Sequence, residues 1–455
     1  MRRLPINEQV RQRNREVTRV NPPSSLGAAN QHVSGSLLIV TLIMVSFGLV
    51  MLFSASMSIG YASTGGNSMY YVLRQSGITA MGLVAALFLA LFVRVHFFDR
   101  MFFTLIAYLV VSGLLVYVRL FGIVIQNARR WVRIGILFQP SELAKIAIVF
   151  CFAGYTSWVR RMRRKGHFRR KTMLGQFLAD GWVDVLLPGL MMLVWIVLVL
   201  IQPHLSGGLI LGFVGLTVML VAGLPLRSWM SAMTQVLLFL LVVVLLVSLL
   251  LPLLPVDELR ADLEENFRHV GRRLDIFFNP ETVDASDSYQ IDQSILAIGS
   301  GGLTGLGLGE GRQKYNYLPE AHNDFVFAII SEELGFIGSL TVILLFMLFM
   351  LIGISITLRA GSVFAAILAG GYTMLITVQA LLNIGVATRS IPPTGISLPF
   401  FSYGGTSNLF FLISISLILA VSRTGLRGRS QPALPDNHRV TAIDEPQRPR
   451  QNERS

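Results

Sequence analysis

The sequence predicts an all-α integral membrane protein, a bundle of about ten transmembrane helices with one large, partly helical extracellular loop. Three observations carry this. Of the 455 residues, 53% are hydrophobic and only 14% charged, with a mean hydropathy of +0.62, a balance outside the soluble globular class. Apolar runs of spanning length recur, and none shows the polar and apolar alternation in about ten-residue segments that a barrel strand requires. Backbone in lipid must satisfy its own hydrogen bonds, so such runs can only be helices. Finally, the connections are short except one, about 255–335, which is far longer than an ordinary loop.

The runs fall near 35–56, 76–93, 101–118, 141–158, 184–201, 205–223, 230–254, 336–358, 362–387 and 407–422. At about 20 residues each can cross a hydrocarbon core of roughly 30 Å. Residues 1–34 and 426–455 are polar and poor in aromatics, so they are expected to be disordered cytoplasmic tails flanking a membrane domain over 35–425. The first run is too long for a signal-peptide core and is expected to be a retained anchor. With both ends cytoplasmic, 25 of the 38 Lys and Arg lie on the cytoplasmic side, among them "RRMRRKGHFRRK" at 160–171, and this bias sets the orientation. That loop is a topology determinant beside anionic lipid, so the net charge of +13 gives no reason to expect nucleic acid. Cys151 is the single cysteine, which precludes an intramolecular disulfide or a CxxC metal site.

The long connection holds 13 of the 25 acidic residues between Asp257 and Asp324. Ile291, Ile295, Leu296 and Ile298 have the spacing of an amphipathic helix. The glycines at 301, 302, 305, 307 and 309 then allow backbone to approach backbone or ligand. Phe325 to Leu358 is 34 residues, about 51 Å as one helix and far beyond the bilayer core. A break near Phe336 resolves this, leaving "DFVFAIISEELG" as a separate interfacial or re-entrant helix with Asn323 or Asp324 near its start. Glu332 and Glu333 are too costly to bury alone and are expected to pair with polar groups.

Three other connections on that side are more polar than topology needs. "NARRWVRIGILFQPSELAK", 127–145, sets Arg129, Arg130 and Arg133 beside Trp131, followed by Gln139, Pro140, Ser141, Glu142 and Lys145. Outer loops normally avoid arginine, and guanidinium forks match phosphate oxygens, so the pair Arg129 and Arg130 points to an anion. Snorkelling or pairing with the acidic loop is the plainer alternative. Glu142 and Lys145, one helical turn apart, are expected to pair. "QPHLSGG", 202–208, caps two adjacent spans. In "ATRSIPPTGISLPFFSYGGTSN", 387–408, Pro399, Ser402, Tyr403, Gly404 and Gly405 are expected to shape a loop closing an outer cavity.

These motifs, in this order, resemble the SEDS cell-wall glycosyltransferases, the family of FtsW and RodA, over about 35–425. The long tails and "QPHLSGG" lean towards the FtsW and sporulation branch. Three positions depart from the family pattern: Asn323 where threonine is common, Asn127 where many members have glycine, and Arg389 where a small residue is usual. The resemblance implies a bacterial cytoplasmic-membrane enzyme that polymerises lipid II, the undecaprenyl-diphosphate-linked disaccharide pentapeptide, into β-1,4 glycan at the outer face. It also implies a class B penicillin-binding protein as transpeptidase partner, alongside other division or elongation proteins. The carried-over catalytic acid is Asp324, expected as general base in an inverting transfer. Arg129, Arg130 and Lys145 would hold the diphosphate, Glu320 is a second candidate for base or metal ligand, and His322 is a hydrogen-bonding neighbour. A divalent cation, Mg or Mn, is compatible with the diphosphate, although no metal-ligand spacing marks the chain. The rival readings are a lipid II flippase or transporter, which predicts polar residues running through the bundle, and a non-catalytic scaffold of the cell-wall machinery.

Overall fold

The protein is described by a computed structural model over residues 34–125, 128–134, 136–202, 204–250 and 285–424. The expected tails, Asn127 and the acidic stretch 257–284 lie outside the described residues. Twelve α-helices are present among those described: α1 (Gly35–Thr64), α2 (Tyr70–Phe92), α3 (Met101–Phe121), α4 (Pro140–Arg164), α5 (Met173–Gly181), α6 (Leu187–Leu200), α7 (Leu205–Val221), α8 (Leu226–Leu250), α9 (Ala285–Ser300), α10 (Val326–Leu358), α11 (Val363–Ala387) and α12 (Gly405–Thr424). A π-helical turn over Trp182–Leu186 joins α5 to α6, so the span expected from 184 runs on from Met173 to Leu200. Every predicted apolar run falls on a helix over its described residues; 251–254, the end of the seventh run, lie outside them. Among the described residues nine helical segments are long and apolar enough to cross a membrane, and α7, with 17 residues, is a shorter apolar tenth. This is an all-α, multi-pass membrane protein.

Local chemistry fixes the helix ends. Pro140 opens α4, where its missing N–H is not needed. Thr172 accepts from the Gly175 amide at the start of α5, and Ser362 accepts from the Ala365 amide at the start of α11. The connections alternate between two ends of the bundle. At one end Arg161 pairs with Asp99 at 2.6 Å, Arg423 donates to the Val93 carbonyl at 3.1 Å, and the Ser34 amide donates to Ser422 Oγ at 3.1 Å. This basic end carries the 165–172 loop, and the opposite, motif end carries the polar motifs. Helices α4 and α11 form the centre, with 83% and 72% of their apolar windows buried, whereas α8 lies at the periphery with 11%.

Helix α10 breaks where length arguments require. Gly335 has φ 64° and ψ −160°, separating a short segment, 326–334, from the true span. The glycine-rich stretch 301–309 packs on this break. Leu306 and Gly307 amides donate to the Glu332 and Glu333 carbonyls, both at 3.0 Å, and the Gly302 carbonyl accepts from the Phe336 amide at 2.9 Å, capping the new helix start. A Cβ on Gly301 would lie 1.9 Å from the Ser331 carbonyl oxygen, so backbone contact excludes any side chain there.

Two expectations need correction. The segment after α3 is not a plain loop but a three-stranded antiparallel sheet, β1 (Ile123–Ile125), β2 (Ala128–Ile134) and β3 (Ile136–Phe138) in that order. Its β-branched and aromatic residues fit a pleated surface, a preference masked by the arginines between them. Helix α9 forms as expected, but its packed face holds Ile291, Ser294 and Ala297, while Ile295 and Leu296 are exposed. Ile298 also packs against the core, so two of the four apolar residues share the packed face with small ones that let α9 lie close against its neighbours.

Candidate active site at the motif end

Asp324 sits just before the 326–334 segment, positioned through its backbone. Its amide donates to the Glu320 carbonyl at 3.1 Å. Asn383 of α11, 1% exposed, uses its side-chain amide to donate to the Asp324 carbonyl at 2.7 Å and to the Ile396 carbonyl at 2.6 Å. One buried amide therefore fastens the acid to the "PPTGISLP" segment. A Cβ on Gly395 would lie 3.1 Å from Asp324 Oδ2, so the carboxylate rests over this loop in space left by the missing side chain. Phe325 precedes the helix without a side-chain cap, so Asp324 is not the N-cap of this segment.

Lys145 reaches the same loop from α4. It pairs with Glu142 at 2.8 Å, as the spacing predicted, and donates to Gln379 Oε1 at 3.0 Å. Gln379 in turn donates to the Ser397 carbonyl at 3.2 Å. Gln379 and Asn383 lie four residues apart on one face of α11 and grip neighbouring parts of the 394–398 loop. Lys145 is 3% exposed, so its charge is held by a carboxylate and an amide instead of water.

The arginine pair does not form one fork. Strand geometry turns neighbouring side chains to opposite faces. Arg130 donates to the Gln202 carbonyl at 3.2 Å, joining the first motif to "QPHLSGG", while Arg129 is exposed and donates to the Leu120 carbonyl at 3.3 Å. Trp131 is half-buried beside them. Gln139 Nε2 lies 3.5 Å from His204 Nδ1, a second link between the two motifs. Pro140 and Ser141 are buried at the start of α4, with Ser141 Oγ unpartnered among the described residues.

Glu332 and Glu333 pair as expected, and the pairing is structural. Glu333 accepts from Lys314 at 2.7 Å, from Ser54 of α1 at 2.6 and 2.7 Å and from the Gly309 amide at 3.1 Å. Glu332 accepts from the Arg312 amide at 2.8 Å and the Gln313 amide at 3.2 Å. Glu320 has φ 53° and its carboxylate accepts from the Asn323 side chain. In the last motif Ser402 Oγ accepts from the Leu398 amide at 2.7 Å, and Asn408 bonds the Phe400 amide and Ser402 carbonyl. Pro399 is buried, and Gly405, at φ 25°, starts α12.

His322 is buried, and desolvation pushes its imidazole below the ordinary value of 6.5 against the opposing pull of Glu320. Its ring lies 4.9 Å from that of Tyr71 and 6.0 Å from that of Tyr403, centroid to centroid.

The chain matches the cell cycle protein family of FtsW, RodA and SpoVE over residues 35–426. It belongs to that family. It is 32% identical over 390 residues to stage V sporulation protein E of Bacillus subtilis, covering 85% of this chain and 96% of that protein. It is 31% identical over 394 residues to a probable peptidoglycan glycosyltransferase FtsW of Geobacter metallireducens, covering 86% and 95%. Among solved structures, a chain of a peptidoglycan synthase complex aligns with a TM-score of 0.60 at 26% identity, covering 87% of this chain and 98% of that one. The rod shape determining protein RodA of Thermus thermophilus aligns with a TM-score of 0.55 at 26% identity, covering 87% and 97%.

In this FtsW, RodA and SpoVE relative, sequence reasoning missed Tyr71, which packs on His322, and Lys314, Gln379 and Asn383, which bond Glu333, Lys145 and the Asp324 carbonyl. The last two were visible as amides spaced four apart in an apolar run, a costly pattern in lipid without a task. Arg389, unexplained by the sequence, pairs with Asp292 of α9 at 3.3 Å and ties that helix to the loop.

Proposed function

We propose that this protein is a peptidoglycan glycosyltransferase that polymerises lipid II at the outer face of the cytoplasmic membrane. The observation that carries the reading is the seat of Asp324: a carboxylate over Gly395, fixed by Asn383, at the end opposite the basic loop. Lys145 is bonded to the same loop through Gln379. With the basic end cytoplasmic, by the positive-inside bias, the site faces outward and both flanking tails lie inside.

In the proposed reaction the 4-hydroxyl of the acceptor sugar attacks C1 of the donor opposite its α-linked diphosphate. The new C1–O bond forms as the bond to phosphate breaks, the electron pair leaves with undecaprenyl diphosphate, and the linkage becomes β. Asp324 takes the hydroxyl proton. Lys145, Arg130 and Arg129 would supply the positive charge that stabilises the departing diphosphate. A Mg or Mn ion would belong to the substrate diphosphate, since Glu320 is engaged by Asn323 and Asp324 alone offers one carboxylate to an ion that keeps most of its waters. The kinship with a synthase-complex chain supports a transpeptidase of the class B penicillin-binding type as partner. Against transport, Thr373 and Thr377, buried on α11 towards the basic end, donate to their own helix carbonyls and do not extend a polar path.

Glycan synthesis from purified lipid II tests this, with wild type and Asp324→Asn each reconstituted with the partner and checked for equal assembly. Loss of about 10²- to 10⁴-fold is expected. Wild-type rates in the variant would remove Asp324 as the base and bring Glu320 forward.

A further inference from the structure

We infer that the first turn of α2, through Tyr70, Tyr71 and Arg74, forms with His322 and Tyr403 a subsite that holds a pyranose ring of the acceptor lipid II on the loop that carries Asp324. The inference rests on the polymerase reading above and names a binding surface for it.

Three elements distant in sequence meet here. The Tyr71 ring lies 4.9 Å from His322 and 4.9 Å from Tyr403, the latter edge-on at 86°. The Tyr403 amide donates to the His322 carbonyl at 2.8 Å, locking the two loops together. Tyr70 stands 5.2 Å from Tyr71, nearly perpendicular at 85°, and is 39% exposed. Arg74, also exposed, donates to the Tyr70 hydroxyl at 3.4 Å. None of this is needed to start a membrane helix.

The chemistry fits a sugar. A pyranose has an apolar C–H face and a rim of hydroxyls. Tyrosine offers a flat apolar face with a polar tip, and Arg74 adds directed N–H donors at the rim. His322 is two residues before Asp324, so a ring stacked on this group brings its neighbour's hydroxyl towards the carboxylate, which must approach within about 3 Å to act as base.

The subsite suits acceptor better than donor. The donor must bring its diphosphate to the cations, and Lys145 works from α4 and α11, whereas the aromatic group is carried by α2 and the approach to α12. The acceptor is then the incoming lipid II, whose sugar must be held reversibly at each addition, and stacking on ring faces does this without a fixed set of directed hydrogen bonds.

The test uses the full chain with its partner in proteoliposomes and lipid II as substrate, comparing wild type, Tyr71→Ala, Tyr71→Phe and Arg74→Ala. Weakening the acceptor subsite is expected to raise half-saturating lipid II about tenfold in Tyr71→Ala. Glycans at matched turnover should be shorter, and the saturated rate should stay within about threefold. Tyr71→Phe, which keeps the ring face and loses the polar tip, should lie between wild type and Tyr71→Ala, and Arg74→Ala, at an exposed position, should shift in the same direction by less. Wild-type chain length and half-saturation in both alanine variants would overturn the subsite and leave the polymerase reading intact. A fall in saturated rate that tracks a lower melting temperature, without shorter chains, would also overturn it by making the cluster structural. No polymer from the assembled wild type would instead sink the polymerase reading and this inference with it.

Discussion

Gly395 and Asp324 touch, and that contact makes the sharpest prediction at residue scale. Alanine is conformationally acceptable at 395, but its Cβ, 3.1 Å from Asp324 Oδ2, would move the carboxylate by a few tenths of an ångström. Since a misplacement of about 1 Å can cost about 10²-fold, Gly395→Ala should lose up to about tenfold in glycan synthesis with an unchanged melting temperature. A proportional loss of stability would refute this account. His322 gives a pH prediction. Its folded value is below 6.5, so between the folded and unfolded values the unfolded chain binds more protons. Stability therefore rises with pH across that window and is lost as pH falls through the folded value. Melting temperature should drop from about pH 7 to about pH 5 more steeply in wild type than in His322→Gln. At this scale the sequence exposed Asp324, Lys145 and the Glu142 partner, because charge beside an apolar run is conspicuous. It hid Tyr70, Tyr71 and Arg74, since these lower local hydropathy and made the second span seem to start at 76, about 1.7 turns after Tyr70.

At the scale of elements, the break in α10 was legible because 34 consecutive residues cannot fit one bilayer. Its partner was not, because only the fold brings the glycine stretch onto Glu332 and Glu333. Gly335→Ala should be severely destabilising. A Cβ there would meet the Gly305 amide nitrogen at 2.4 Å and the Leu303 carbonyl at 2.6 Å, and φ 64° adds strain of about 1–3 kcal/mol. Lys314→Met tests the same junction by charge. Both Lys314 and Glu333 side chains are 0% exposed, and removing one partner of a buried pair typically costs about 3–5 kcal/mol. Thermal unfolding in detergent measures both, and a shift of under about 2 °C in either would contradict the interlock. The sheet at 123–138 escaped sequence reading because its arginines alternate between faces, which resembles a basic loop until strand pairing is known.

Across the whole molecule, the alternating connections allow orientation to be measured directly. With Cys151 replaced by Ser, Asn67→Cys at the motif end and His167→Cys at the basic end should differ: an impermeant maleimide added to intact cells should label only the first. Labelling of the second alone would invert the proposed orientation and move Asp324 inside. The contact between the Ser34 amide and Ser422 bears on how the chain is threaded. The first and last helices start and finish side by side, so the path through the bundle nearly closes on itself. A gene reordered to join these two points by a short linker and cut open in the 165–172 loop should fold to the same bundle, with an undiminished rate of glycan synthesis.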